Sequence, residues 1–201
     1  LLVANRGEIA VRILRAASDL GIRTVTVSPE DDATSLHTRK ADHAVVLEGR
    51  GARAYLDIEQ LIVVARDNGC DAIHPGYGFL SENGTFARRC SEENITFIGP
   101  RPETLELFGD KARARSLAES CLIPVLPGTS GATSLEEARE FFHSIANGAM
   151  MIKALAGGGG RGMRVVTHAD EIETAYERSR SEAEQAFGNG DLYVEQLVTD
   201  A

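Results

Sequence analysis

The stretch MMIKALAGGGGRGMRVV, Met150–Val166, decides the fold of the second half of this 201-residue chain. A short apolar run ends at Lys153, four glycines follow it, and a second apolar run ends at Val166. Two such runs joined by a glycine-containing loop predict a β-hairpin. Ordering a glycine costs about 0.5–1 kcal/mol relative to alanine in regular structure. The four glycines therefore predict a tip that approaches a ligand closely or closes over it.

The residues beside the glycines favour an anionic ligand. Bare backbone N–H groups together with Lys153, Arg161 and Arg164 suit a phosphate group. The glycine spacing also satisfies G-x-G-x-x-G, but a dinucleotide site needs a helix after the glycines, and a strand is predicted there. The Walker pattern fails because the lysine precedes the glycines. A mobile surface hairpin with solvated arginines is the alternative interpretation.

Composition excludes several classes of protein. The hydrophobic fraction of 43% and charged fraction of 25% are typical of a globular protein. The net charge of -9 argues against nucleic acid and anionic membranes as partners. Three scattered cysteines form neither a metal motif nor a disulfide framework, which favours a reducing compartment. We therefore expect a cytoplasmic protein with no nucleic-acid partner and no membrane partner.

Strands and helices alternate over residues 1–100, which predicts an α/β fold with a Rossmann-like parallel sheet. The turn Asn5–Gly7 holds one glycine, so a plain tight turn is favoured there over a dinucleotide site. Leu20 is expected on the apolar face of the first helix, and Ser81 is expected to cap the helix that contains Phe86. The predicted strands are 1–4, 23–27, 44–47, 71–74 and 95–98, and the predicted helices are 8–20, 58–67 and 86–92.

The pattern changes after residue 100. Two short helices are predicted over 103–108 and 112–120, the second capped by Asp110. Prolines and glycines then mark a linker. Ser134 and Glu137 form a capping box for a helix over 135–146. With the hairpin, a helix over 170–186 and a strand over 192–197, these elements predict a smaller α+β unit over residues 131–199.

Two further features have open interpretations when only their residues are considered. The segment HPGYGFLSEN, His74–Asn83, follows a predicted strand at the sheet edge where open α/β proteins bind ligands. A simple turn with a helix cap is an equally good reading of it. Lys111 begins a predicted helix, and a solvated surface lysine is the favoured interpretation of that residue alone.

Four motifs taken in order resemble biotin carboxylase, the ATP-grasp component of biotin-dependent carboxylases. They are ANRGEIAVRIL at Ala4–Leu14, HPGYGFLSEN, Gly109-Asp110-Lys111, and KALAGGGGRGMRVV at Lys153–Val166. The resemblance implies a pre-ATP-grasp domain over 1–100, a helical linker over 101–130 and an ATP-grasp lid subdomain over 131–199. It also implies that the C-terminal ATP-grasp part, with the Mg²⁺ ligands and the general base, lies beyond these 201 residues.

The function implied by the resemblance is ATP- and bicarbonate-dependent carboxylation of carrier-bound biotin, in an acyl-CoA, pyruvate or urea carboxylase system. ATP, Mg²⁺ and biotin are the implied cofactors. A biotin carboxyl carrier and a carboxyltransferase are the implied partners, with a homodimer when full length and a mitochondrial location if eukaryotic. The 201 residues alone are expected to be inactive. The alternatives are a non-catalytic nucleotide-binding module and another ATP-grasp ligase, such as the carbamoyl-phosphate synthase large chain.

The resemblance also assigns site residues. The wall near the biotin and bicarbonate pocket matches Tyr77 and Glu82. Arg15 on the first helix matches a subunit-interface position. Gln196 stands where a lysine is common, and Leu155 is bulkier than usual for its position. No catalytic residue and no metal ligand is assigned within these residues. The nucleotide-binding positions are Lys111, Lys153, Gly159, Gly160, Glu195, Gln196, Leu197 and Val198.

Overall fold

The structure is a computed structural model of the chain, and it describes residues 1–145, 148–156 and 160–198. The chain divides into two compact units, Leu1–Glu106 and Leu107–Ala201. The boundary lies inside the first of the two short helices, Pro102–Gly109, and the second, Lys111–Ser120, lies wholly in the second unit. The second unit therefore begins well before residue 131. Among the described residues, no helix is both long enough and apolar enough to cross a bilayer.

The first unit is built on a five-stranded parallel sheet with strand order β3-β2-β1-β4-β5. This arrangement confirms the predicted parallel α/β sheet. The short central strand β1 is fully buried, which explains why its residues are apolar on both faces. Its elements are β1 (Leu2–Val3), α1 (Gly7–Asp19), β2 (Val25–Pro29), β3 (His43–Leu47), α2 (Gly51–Ala54), α3 (Ile58–Asp67), β4 (Ala72–His74), α4 (Gly84–Glu92) and β5 (Thr96–Phe97).

Two local predictions in this unit were wrong. Leu20 is 74% exposed, because α1 ends at Asp19 and the chain turns away at Gly21, whose φ is +68°. The cap of α4 is Asn83, whose side chain accepts a hydrogen bond from the Phe86 N–H, and not Ser81. Ser81 lies two residues too early, and its backbone N–H is used in the preceding turn. Short 3₁₀ helices, which the sequence did not indicate, occupy Glu30–Asp32 and Leu36–Arg39.

The second unit is an α+β arrangement, as predicted. Within its described residues, β7, β6 and β8 form a three-stranded antiparallel sheet in that order. The predicted capping box of Ser134 and Glu137 is present at the start of α7. After α5 (Pro102–Gly109), the elements are α6 (Lys111–Ser120), α7 (Leu135–Ser144), β6 (Met150–Ala154), β7 (Met163–Val166), a 3₁₀ turn (Ala169–Glu171), α8 (Ile172–Phe187) and β8 (Leu192–Gln196).

The two faces of the antiparallel sheet have different surroundings. One face packs on α7 and α8 and forms the core of the unit. Because strand residues alternate between faces, the residues between these core positions point to the opposite side. We call this opposite side the open face. Its members, read from the strand register, are Met151, Lys153, Met163, Val165, Tyr193 and Glu195.

Candidate nucleotide-binding site

Strand register brings Lys153 close to one phenolic side chain, Tyr193, and one acidic side chain, Glu195, on the open face. Lys153 of β6 is directly opposite Tyr193 of β8, and the neighbouring pair joins Met151 to Glu195. Arg164 of β7 is instead opposite Ile152, so it lies on the core face. Because side chains alternate between the two faces of a strand, Arg164 and Lys153 point to opposite sides of the sheet. The expectation that they share a phosphate site is therefore wrong.

Arg164 has a different role on its own side of the sheet. Its Nη1 atom is 2.8 Å from Glu182 Oε2 on α8, and both side chains are partly exposed. The guanidinium of Arg164 is the main cause that lowers the pKa of Glu182. This ion pair connects the hairpin to α8 on the core face, opposite the face that carries Lys153.

An ion pair dominates the open face. The Lys153 ammonium donates to Glu195 Oε1, and the Tyr193 hydroxyl donates to Glu195 Oε2 over 3.4 Å. The side chains of Lys153 and Glu195 are 23% and 14% exposed, so the pair is mostly shielded from water. Burial, and then the Glu195 charge, raise the pKa of Tyr193 to about 12. Tyr193 thus remains protonated and makes a long, weak contact with the second carboxylate oxygen.

Lys111 supplies a second positive charge near this pair. It is the first residue of α6, and Asp110 caps that helix by accepting from the N–H groups of Ala112 and Arg113 at 3.0 Å each. The Lys111 ammonium donates to the Leu155 carbonyl oxygen over 3.2 Å. Burial lowers the pKa of Lys111, and the nearby positive charge of Lys153 lowers it further. Two ammonium groups therefore lie near each other at the end of β6, which favours an anionic ligand there.

The end of β8 is held from both sides, up to a point. The Gln196 N–H donates to the Pro127 carbonyl oxygen over 2.8 Å, and the Leu197 N–H donates to a carbonyl oxygen just before β6 over 3.0 Å. A Cβ at Gly128 would lie 2.8 Å from a β8 carbonyl oxygen, so only glycine allows this approach. The register places the Gln196 side chain on the core face, on the other side of the sheet from Lys153 and Glu195. Val198 is 49% exposed and offers surface just beyond the strand.

The described part of the hairpin tip contains two glycines in left-handed backbone conformations. Gly160 has φ +81° and is exposed. Gly162 has φ +66° and is buried, and a Cβ there would lie 3.0 Å from the Ala154 Cβ. Gly160 is needed for its backbone conformation alone. Gly162 is needed for its backbone conformation and also because a side chain there would crowd Ala154. Gly159, predicted to contact phosphate, lies outside the described residues.

The predicted substrate wall lies in the first unit, in the segment His74–Asn83. The Tyr77 side chain is 61% exposed, and its hydroxyl donates to Glu8. Glu82 is exposed. The predicted nucleotide-binding residues Lys111, Lys153 and Glu195 all lie in the other unit.

Asn5 shapes this segment and was missed by sequence reasoning, which treated Asn5–Gly7 as a plain turn. It is buried, and its Nδ2 atom donates to the carbonyl oxygens of Pro75 and Tyr77 over 2.7 and 2.8 Å. A Cβ at Gly76 would lie 2.6 Å from the same nitrogen. A polar residue directly after a buried central strand was the available signal, because such a residue meets the loop of the neighbouring strand.

The described residues do not provide a metal centre. Over 1–145, 148–156 and 160–198, no group of three or more His, Cys, Asp or Glu side chains could hold a metal ion. We therefore assign no chemical step to a metal held by these residues alone.

Comparison with known families matches both units. Residues 1–105 match the family model described as biotin carboxylase, N-terminal domain. Residues 110–201 match the model described as carbamoyl-phosphate synthase L chain, ATP binding domain. Pyruvate carboxylase of Bacillus subtilis is 55% identical over 201 residues, which covers 98% of this chain and 17% of that protein. Mitochondrial pyruvate carboxylase of Mus musculus is 50% identical over 202 residues, with the same coverage.

Solved structures share the whole fold. The biotin carboxylase domain dimer of Hydrogenobacter thermophilus 2-oxoglutarate carboxylase, in complex with MgADP, ADP and bicarbonate, has a TM-score of 0.93 and 44% identity. That match covers 98% of this chain and 44% of the other. A biotin carboxylase–β-γ-ATP complex from Campylobacter jejuni has a TM-score of 0.94 and 41% identity, covering 99% and 45%. The first family model alone spans more than half of the residues, and the pyruvate carboxylases are similar over 98% of this chain. The chain therefore belongs to the biotin carboxylase family.

Proposed function

We propose that this chain supplies the nucleotide-binding lid and the N-terminal domain of an ATP-dependent biotin carboxylase, which carboxylates carrier-bound biotin with bicarbonate. The observation that carries the proposal is the convergence of Lys111, Lys153 and Glu195 beside the glycine hairpin. The chain spans 17% of the length of the pyruvate carboxylases that it matches, so the activity is proposed for the protein extended to that length.

The chain's own residues would act on the nucleotide. Lys111 and Lys153 would hold phosphate oxygens, and the glycine tip would close over them and exclude water. The segment Glu195–Val198 would receive the adenine ring, with Val198 providing exposed apolar surface. Shielding matters because each charge contact is stronger in a partly buried site than in water.

For the second substrate, we propose that Tyr77 and Glu82 line the approach of bicarbonate and biotin. Both residues are exposed in a loop that Asn5 and Gly76 fix in one conformation. The partners proposed with them are a biotin carboxyl carrier and a carboxyltransferase, as expected for a protein similar to pyruvate carboxylase. For the full-length protein, a homodimer is proposed through α1, where Arg15 is exposed. Sedimentation of the full-length protein carrying Arg15→Glu would reveal a loss of association.

A chimera tests the proposed function. Residues 1–198 of this chain would replace the aligned segment of Bacillus subtilis pyruvate carboxylase, to which it is 55% identical. We expect bicarbonate-dependent ATP cleavage and pyruvate carboxylation within about tenfold of the parent enzyme. Each 1.36 kcal/mol of lost transition-state stabilisation would cost a factor of ten.

The matched control is the same chimera carrying Lys153→Met, which should lose activity while remaining folded. A folded chimera that binds ATP but cleaves none would favour the non-catalytic nucleotide-binding module. A folded chimera that binds no ATP would contradict the proposed site itself.

A further inference from the structure

We propose that Asn5 is a positioning residue for the biotin side of the reaction, because it sets the place of Tyr77 without touching a substrate itself. This role rests on the proposed function, in which Tyr77 lines the approach of biotin. Asn5 lies two residues after β1, whereas the loop that it controls, 75–79, begins directly after β4. Loss of Asn5 should therefore impair the use of biotin and leave the use of ATP unchanged.

The Asn5 side chain uses its donor and its acceptor at once. Its Nδ2 atom donates to the carbonyl oxygens of Pro75 and Tyr77, over 2.7 and 2.8 Å. Its Oδ1 atom accepts from the Arg6 N–H over 2.8 Å. Asn5 is 2% exposed, so water has little access to replace these contacts. Because one of them reaches the backbone of Tyr77 itself, the amide fixes the point from which that side chain starts.

The loop that Asn5 holds has a backbone that needs outside support. Gly76, Gly78 and Phe79 have φ angles of +67°, +66° and +42°. Positive φ is easy for glycine and unfavourable for phenylalanine, whose Cβ crowds the backbone. A residue in such a conformation persists only where the surrounding structure holds it. The conformation of this loop therefore depends on contacts from other elements.

The far end of the loop has an anchor of its own. The Phe79 ring stacks on the Tyr55 ring, with 5.0 Å between the centroids and 13° between the planes. Tyr55 is fully buried, and its hydroxyl donates to Asp32 over 2.8 Å. Phe79 is thus fixed independently of Asn5. Removing the Asn5 contacts should release the middle of the loop while its end stays in place.

The Tyr77 side chain is sensitive to such a release. It is 61% exposed, so its direction follows the backbone that carries it. A misplacement of about 1 Å in a reacting site can cost about a hundredfold in rate. The predicted nucleotide contacts, Lys111 and Lys153, belong to the other unit, and that unit has its own core. We therefore expect them to keep their places when the loop moves.

The experiment uses the chimera with Bacillus subtilis pyruvate carboxylase, prepared without attached biotin so that free biotin is the acceptor. Asn5→Asp keeps the shape of the side chain, but an aspartate, ionised or protonated, cannot donate to both carbonyl oxygens. We expect kcat/KM for free biotin to fall by about tenfold or more. The KM for ATP and the rate of bicarbonate-dependent ATP cleavage, both measured without biotin, should stay within about twofold of the unmodified chimera.

Thr24→Val is the matched control. Thr24 is 3% exposed, and its hydroxyl donates to Asp42 over 2.8 Å. It directly precedes β2, so it lies at the opposite edge of the parallel sheet from the loop after β4. We expect Thr24→Val to lower stability as Asn5→Asp does and to leave biotin and ATP kinetics unchanged. Equal losses toward biotin and ATP in Asn5→Asp, or equal losses toward biotin in both variants, would overturn the role of Asn5.

A second pair of variants decides if Asn5→Asp does not fold. A Cβ at Gly76 would lie 2.6 Å from Asn5 Nδ2, whereas one at Gly21 would meet nothing within 4 Å. Gly76→Ala should lower kcat/KM for free biotin and Gly21→Ala should not, and equal values would count against the role. A chimera that carboxylates no biotin would contradict the proposed function and this role with it. An active chimera whose biotin kinetics do not respond to Asn5→Asp would contradict this role alone.

Discussion

At the scale of single residues, strand register places two cations of the hairpin on opposite faces of the antiparallel sheet. Lys153 lies on the open face, and Arg164 on the neighbouring strand pairs with Glu182 on the core face. We expect Lys153→Met to weaken ATP binding by ten- to a hundredfold, because a charge-assisted phosphate contact is worth about 1.5–3 kcal/mol. Calorimetric titration measures the change.

Arg164→Met is the matched control, since it removes one cation from the adjacent strand of the same sheet. It should lower stability slightly and leave ATP affinity within about twofold. An equal loss of affinity in both variants would mean that the effect is general electrostatics and that the open face has no special role.

A second prediction at this scale concerns Gly76, in the loop that Asn5 holds. Gly76 and Gly21 have nearly equal positive φ angles, +67° and +68°, but only a Cβ at Gly76 would meet a neighbour, Asn5. Both alanine variants carry the cost of a left-handed alanine, about 1–2 kcal/mol. We expect Gly76→Ala to lose about 1–3 kcal/mol more, because Asn5 must give up its hydrogen bonds. Urea denaturation of both variants measures the difference, and equal losses would show that the loop yields without cost.

At the scale of elements, the α4 cap gives a direct test of a corrected assignment. Asn83→Ala should lower the free energy of unfolding of the first unit by about 1 kcal/mol, because the Phe86 N–H loses its acceptor. Ser81→Ala should change it by less than half of that amount. Thermal denaturation of the two variants checks the prediction, and the reverse order would restore Ser81 as the cap.

Elements that bury an apolar face were predictable from the sequence, and those fixed by tertiary contacts were not. Helix α3 was predicted at its observed bounds, Ile58–Asp67, and its apolar residues form one buried face. The 3₁₀ helix Leu36–Arg39 has no such apolar face, and its buried His37 contacts the Val27 carbonyl oxygen of β2. In the candidate site, the hairpin was predicted and is present, whereas the roles of Lys111 and Lys153 in binding nucleotide stay predictions. The pairing of Lys153 with Glu195 was not, because it depends on which register β8 adopts against β6.

At the scale of the whole molecule, each unit has its own hydrophobic core. One core contains Leu61, Ile73 and Phe86 of the first unit, and another contains Ile152 and Val194 of the second. Regions with separate cores open as separate cooperative units in hydrogen exchange. We therefore expect two classes of protected amides, and we expect ATP to slow exchange in β6, β8 and α6 but not in the parallel sheet.

Hydrogen-exchange mass spectrometry with and without ATP measures this directly. The Lys153→Met variant is the control, and its exchange should not respond to ATP. Equal ATP-induced protection of β1, β2 and β4 would contradict the assignment of the nucleotide to the second unit alone.

The position of β1 in the sheet has a consequence for synthesis on the ribosome. This strand is the middle of the sheet, and it pairs with β2 and with β4. Its partner His74 follows Val3 by about 70 residues, so one edge of β1 waits unpaired while that length is made. At 5–20 residues per second, the wait is roughly 4–14 s. During that time Leu2 and Val3, which end fully buried, are exposed apolar residues that a chaperone could bind.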